Sequence, residues 1–146
     1  VTGVQTCALP ISRDAFNAWI RKRDEGLPCI DCGKPILNNI PGGSADAGHY
    51  LSVGSAPHLR FQEDNVHTQR KNCNRPGGAT RTAYRDGLIA RIGLERVEAL
   101  EADQTPRKYT ADDLRAIRDE YRARLRSADK PSQATSTSKP EPTGTA

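Results

Sequence analysis

Phe16, Trp19 and Ile20 share one helical face between Arg13 and Glu25, and Gly26 then Pro28 end the run, so this spacing predicts a first helix. From Ile36 to Asp46, Asn38-Asn39 and Pro41-Gly42-Gly43 read as turns. Residues 47–52 and 65–69 are short strand candidates, parted by a loop that holds Pro57. Beyond a break at Pro76-Gly77-Gly78, the stripe Tyr84, Leu88, Ile89 and Ile92 predicts a helix from Thr80 to Ile92, closed by Gly93. Leu94, Val97 and Leu100 continue as a second short helix. Thr110-Ala111-Asp112-Asp113 has the form of a capping box with Asp in its last place, and opens a helix striped by Leu114, Ile117, Tyr121 and Leu125. These stripes are core packing and receive no ligand role. Residues 127–146 are rich in Ser, Thr, Pro, Gln and Ala with no apolar period, which predicts a disordered tail.

The apolar content changes what must hold such a domain together. Hydrophobic residues make up 35% of the chain and aromatics 5%, so the core is thin and a bound metal becomes a natural source of stability. No apolar run approaches membrane-spanning length and no secretory leader is visible. Val1–Ser12 resembles the translation of a short-read sequencing adapter, and the chain contains no methionine. Residues 1–12 are therefore set aside from the domain expected at 13–126, and Cys7 is not counted as a ligand. The three remaining cysteines, an odd number without an oxidising context, read as zinc ligands rather than disulfides.

Net charge is +4, and its distribution is more telling than its size. Between His58 and Arg91 stand Arg60, Arg70, Lys71, Arg75, Arg81, Arg85 and Arg91 against Glu63, Asp64 and Asp86. That excess suits a phosphate backbone, although any single arginine also serves as plain solvated surface.

The chemistry lies in an ordered series. Cys29-Ile30-Asp31-Cys32-Gly33 is a C-x₂-C turn whose two thiolates can converge on one tetrahedral ion, and Cys73 returns a third. Asp46-Ala47-Gly48-His49-Tyr50 brings a carboxylate and an imidazole close together, and Asn74 adds an amide directly after Cys73. Phosphodiester hydrolysis requires an activated water and a cation on the phosphate. His49 suits the base because its ordinary pKa is near neutrality. Asp46 and Asn74 offer oxygen ligands for Mg²⁺ or Mn²⁺, whereas the thiolates suit Zn²⁺. Plain structural readings stand beside these: His49 as an ordinary histidine, Asp46 as a turn cap, Asn74 as a turn residue ahead of Pro76. With three cysteines the zinc site lacks a fourth ligand, and His67, six residues before Cys73, is the nearest candidate; His58, in mid-loop, is a poorer one.

From Phe16–Arg21 through Pro28–Gly33, Asp46–Tyr50, Leu59–His67 and Cys73-Asn74 to Tyr84-Arg85 and Leu88–Gly93, the chain resembles the NinG (Rap) family of lambdoid phage recombination proteins. The resemblance covers nearly everything between residues 13 and 126. It implies a structure-selective endonuclease that cuts branched DNA such as Holliday junctions and D-loops in the bacterial cytoplasm. The pattern is also similar to HNH, or His-Me finger, nucleases. That similarity implies an α+β fold with a zinc-stabilised ββα-metal core, His49 as base and Asn74 as metal ligand, with Asp46 a looser match. Where the family shows a second C-x₂-C, this chain has Arg70 in the first position. Arg60, Arg70, Lys71, Arg75, Arg81 and Arg85 are the expected DNA contacts, and a homodimer would suit paired cuts. Two other readings stay open: a non-catalytic zinc-stabilised DNA-binding module, and a generic HNH nuclease.

Overall fold

A computed structural model describes residues 3–129. Among the described residues four α-helices accompany one two-stranded antiparallel sheet: α1 (Gly3–Arg23), β1 (Ala45–His49), β2 (Val66–Arg70), α2 (Arg81–Ile92), α3 (Leu94–Ala102) and α4 (Ala111–Ala128). The architecture is α+β, as expected. Each strand lies within three residues of its expected place, and their register pairs Asp46 with Gln69, Gly48 with His67, and His49 with Val66.

Two cores flank the sheet. Phe16 and Ile20 of α1 and Leu114 and Tyr121 of α4 meet Val66 and Phe61 in one, where Phe16 packs edge-on against Phe61 and Tyr121. Tyr84 and Leu88 of α2 and Val97 and Leu100 of α3 meet Ile30, Tyr50 and Leu59 in the other. Tyr84 fastens this second core to the strands. Its hydroxyl donates to Gly48 O at 2.7 Å and accepts from His67 N at 3.0 Å, so two buried strand groups depend on it. Such bonds contribute about 1 kcal/mol each, and an orphaned group costs about 1–3 kcal/mol.

The helix ends follow their capping chemistry. Thr110 and Asp113 form the complete capping box of α4, and the Thr80 side chain accepts from Ala83 N to start α2. Two boundaries move. The first helix begins upstream of Arg13, with Ala8 and Ser12 buried and Ser12 Oγ donating to Leu114 O at 2.7 Å, so the packed region extends beyond the boundary expected at residue 13. At the other end α4 continues through Ser127 and Ala128, because its N–H to C=O ladder is still closed by Asp129 N on Leu125 O; the rest of the expected tail lies outside the described residues. Among the described residues no helix is long and apolar enough to cross a membrane.

Candidate metal cluster and candidate active site

The C-x₂-C turn closes as its composition demands. Gly33, at φ +69°, donates its N–H to Cys29 O at 3.0 Å, and this left-handed conformation is one that glycine adopts without a Cβ penalty. The turn then docks on β2: Ile30 N donates to Thr68 O at 3.1 Å, and Arg70 N donates to Cys29 Sγ at 3.2 Å. Past the end of β2 the chain folds back, with Cys73 N and Asn74 N both donating to Arg70 O. This return delivers Cys73 to the knuckle.

The ligand atoms of Cys29, Asp31, Cys32 and Cys73 all lie within 4.8 Å of one another. Three sulfurs and one carboxylate at that spacing match the donor set and the four-coordination of a structural zinc site, so this cluster could bind a metal such as zinc. Burial and mutual contact shift the three thiols in different directions. Burial raises Cys73, and its bond to Cys32 and the negative fields of Cys29 and Asp31 raise it further. Cys29 is raised by burial and then by its bond to Asp31. Cys32 falls below its ordinary value: burial opposes ionisation there, but the Lys34 N–H, the two other thiols and Arg70 together outweigh it. A cation at the centre would reverse the sign of the repulsions.

His67 does not complete this set, contrary to the expectation from sequence. Among the described residues the fourth member is Asp31, which lies inside the knuckle itself. The reason is register. Cys29 meets β2 at Arg70, three residues and about 10 Å along the strand from His67. The His67 ring is buried instead, its Nδ1 without a partner, in a setting charged by Arg23, Asp24, Arg91 and Asp64. Burial, with Arg23 next in weight, pushes its pKa down to about 4. His58 is also occupied elsewhere, its Nε2 2.7 Å from Asp103 O.

The second site is a cavity of about 280 Å³, open to solvent and bordered by His49, Asn74, Gln69, Tyr84 and Arg81, with Asp31 and Cys73 in its wall. The sulfur cluster and the predicted nuclease residues therefore share a boundary. His49 ends β1, and its Nε2 lies 3.0 Å from Arg60 O. Burial lowers its pKa below the ordinary histidine value, against the pull of that carbonyl. Asn74 Nδ2 donates to Asp46 Oδ2 at 3.3 Å. Asp46 thus joins through Asn74 and does not line the cavity.

The loop between the strands is pinned next to Arg60 by Asn65, a residue that sequence reasoning missed. Fully buried, Asn65 accepts from Leu51 N and donates to Leu51 O and Leu59 O. Gln69 and Asp31 were also missed. The signal for Asp31 was its position between the two knuckle cysteines; for Gln69 there was none.

Of the six predicted DNA-contacting cations, Arg81 lines the cavity, its guanidinium 5.5 Å from the centre of the Tyr50 ring. Lys71, Arg75 and Arg81 are exposed. Arg70 is half-buried beside Cys32, with its Nε unpartnered. Arg60 lines a second, more apolar cavity with Phe16, Phe61 and His49. Arg85 is already paired with Glu101 at 2.9 Å.

A family model described as Bacteriophage Lambda NinG protein matches residues 11–131. The chain is similar to Protein ninG of Salmonella phage P22 and of Escherichia phage lambda, 39% identical to each over 115 residues, which is 79% of this chain and 54% of theirs. Protein ninG of Enterobacteria phage H19B is 38% identical over 107 residues, 73% of this chain and 51% of its own. The chain spans about half the length of the curated relatives it matches. No solved structure matches.

Proposed function

Because this chain belongs to the bacteriophage lambda NinG family, we propose that it is a metal-dependent endonuclease acting on branched DNA during phage recombination, built on a ββα-metal core. The observation that carries this reading is the shared cavity: His49, Asn74 and Arg81 border one open space, and Asp46 is bonded to Asn74 at its edge. The order β1, β2, α2, a hairpin followed by a helix, supports that reading.

His49 is the base. With Nε2 directed at a carbonyl, the ring proton stays on that nitrogen and Nδ1 is left to take a proton from water. Its lowered pKa keeps it unprotonated at neutral pH. Asp46 and Asn74 would hold a Mg²⁺ or Mn²⁺ ion, which when bound supplies positive charge to the scissile phosphate. Arg81, exposed at the rim, attracts the DNA backbone, and Lys71 and Arg75 extend the positive field. Cys29, Asp31, Cys32 and Cys73 would hold a structural zinc that fixes the return from β2 to Asn74.

A zinc-stabilised DNA-binding module without catalysis is the second reading, favoured by the position of Asp46 outside the cavity lining. Nicking of synthetic four-way and three-way junctions against linear duplex, with and without Mg²⁺ or Mn²⁺, separates the two. Metal-dependent cutting of branched DNA supports the endonuclease; tight binding with no cutting by the parent chain overturns it.

A further inference from the structure

Gln69 is a buried amide in the middle of the site, only 5% exposed, and no step of the proposed chemistry uses it. An amide taken out of water is costly unless its polar atoms are bonded. Its Nε2 donates to Asp31 Oδ2, while the other oxygen of that carboxylate, Oδ1, lies 2.9 Å from Cys29 Sγ. One face of Asp31 is thus turned toward the sulfurs and the opposite face is held by Gln69, the way outer partners orient a ligating carboxylate. The other end of the amide, Oε1, lies over Gly48, in the space a Cβ there would fill. Asn74 Oδ1 is 3.0 Å from the same point, and Gln69 is the register partner of Asp46.

We propose that Gln69 is a positioning residue that holds Asp31 as the fourth ligand of the metal cluster and, wedged against Gly48, ties that cluster to Asn74 and Asp46. This rests on the zinc reading of the Cys29, Asp31, Cys32 and Cys73 cluster. Loss of the Gln69 amide frees the Asp31 carboxylate to turn away from the sulfurs, so ligand geometry and affinity change while the three thiolates remain.

The test is zinc affinity of the purified chain by competition with a chromophoric chelator. Gln69→Met keeps the length and loses the amide, and should weaken zinc binding about 10- to 100-fold. In an Asp31→Ala background the same change should add less than about two-fold, because the two residues act as one unit. With Co²⁺ in place of Zn²⁺, Gln69→Met should keep the thiolate charge-transfer absorption and alter the visible ligand-field bands. If Gln69→Met does not fold, Gln69→Asn, one methylene short of Asp31, asks the same question. Parental affinity in these variants, or an equal loss in both backgrounds, overturns the role of Gln69 and leaves the zinc site standing. A parent chain that takes up no zinc overturns the metal reading and this inference together.

Discussion

The His49 ring lies with Nε2 3.0 Å from the backbone carbonyl oxygen of Arg60. A carbonyl only accepts, so this contact places the ring hydrogen on Nε2 and the lone pair on Nδ1. On the proposed mechanism, removing the ring removes the base and little of the phosphate contact. His49→Ala should therefore lower single-turnover cleavage of branched DNA by about 10²–10⁴-fold, a general base's typical share. Binding in a gel-shift assay should stay within a few-fold. A variant that cuts at the parental rate removes His49 from the mechanism.

Zinc content separates the two candidates for the fourth ligand. The parent should carry about one equivalent, since a structural site is closed by four protein ligands. Asp31→Ala and Cys73→Ser should lower occupancy, and a strong chelator should unfold the domain. His67→Ala should leave occupancy unchanged, because its ring lies away from the sulfurs. Zinc loss in His67→Ala alone would return that residue to the site.

His67 should instead make the fold sensitive to acid. Its folded pKa of about 4 lies below the unfolded value near 6.5, so the unfolded chain takes the proton first as pH falls. Its contribution is fully present above about pH 6.5, declines as pH falls toward about 4, and is constant below that. Arg23, Asp24, Arg91 and Asp64 set the field around it. Denaturant midpoints across this window should fall less steeply in His67→Gln than in the parent. Equal slopes would show that the ring does not titrate on unfolding.

Branched-DNA affinity should fall steeply with salt. Each phosphate contact removed should reduce the log–log slope by about 0.9. Single alanine changes at Lys71, Arg75 and Arg81, which among the described residues have no ion-pair partner, should flatten it. Arg85→Ala should matter less, its charge being engaged by Glu101. A parent whose binding ignores salt would show that the cluster is only solvated surface.

Much of the helical frame was legible because it is written locally. Thr110 and Asp113 announce their helix start, and Tyr84, Leu88 and Gly93 mark the face and end of theirs. The strands are placed less well by pattern because partners distant in sequence delimit them: Asp24 accepts from Thr68 N at 3.0 Å, and Tyr84 bridges Gly48 and His67. The candidate site divides the same way. Spacing brings out Cys29, Cys32, Cys73 and His49, but the choice between His67 and Asp31 depends on which residue of β2 faces the knuckle. That is a matter of register, and a two-stranded sheet with one glycine partner gives little periodicity from which to read it. Gln69 is invisible for a related reason, since its role exists only once Gly48 and Asp31 are beside it.

The pairing of α1 with α4 bears on when the site can exist. The back of the sheet, at Ala47 and Val66, is covered jointly by Phe16 and Ile20 near the start of the chain and by Leu114 and Tyr121 near the end of the described residues. During synthesis, the knuckle, His49 and Asn74 leave the ribosome well before the helix that completes their support. A nascent chain therefore carries its chemical groups for some time without the layer that aligns them, and local contacts alone cannot replace it. Alignment arrives with residues 114–121, so the arrangement delays assembly of the candidate site until those residues have been made.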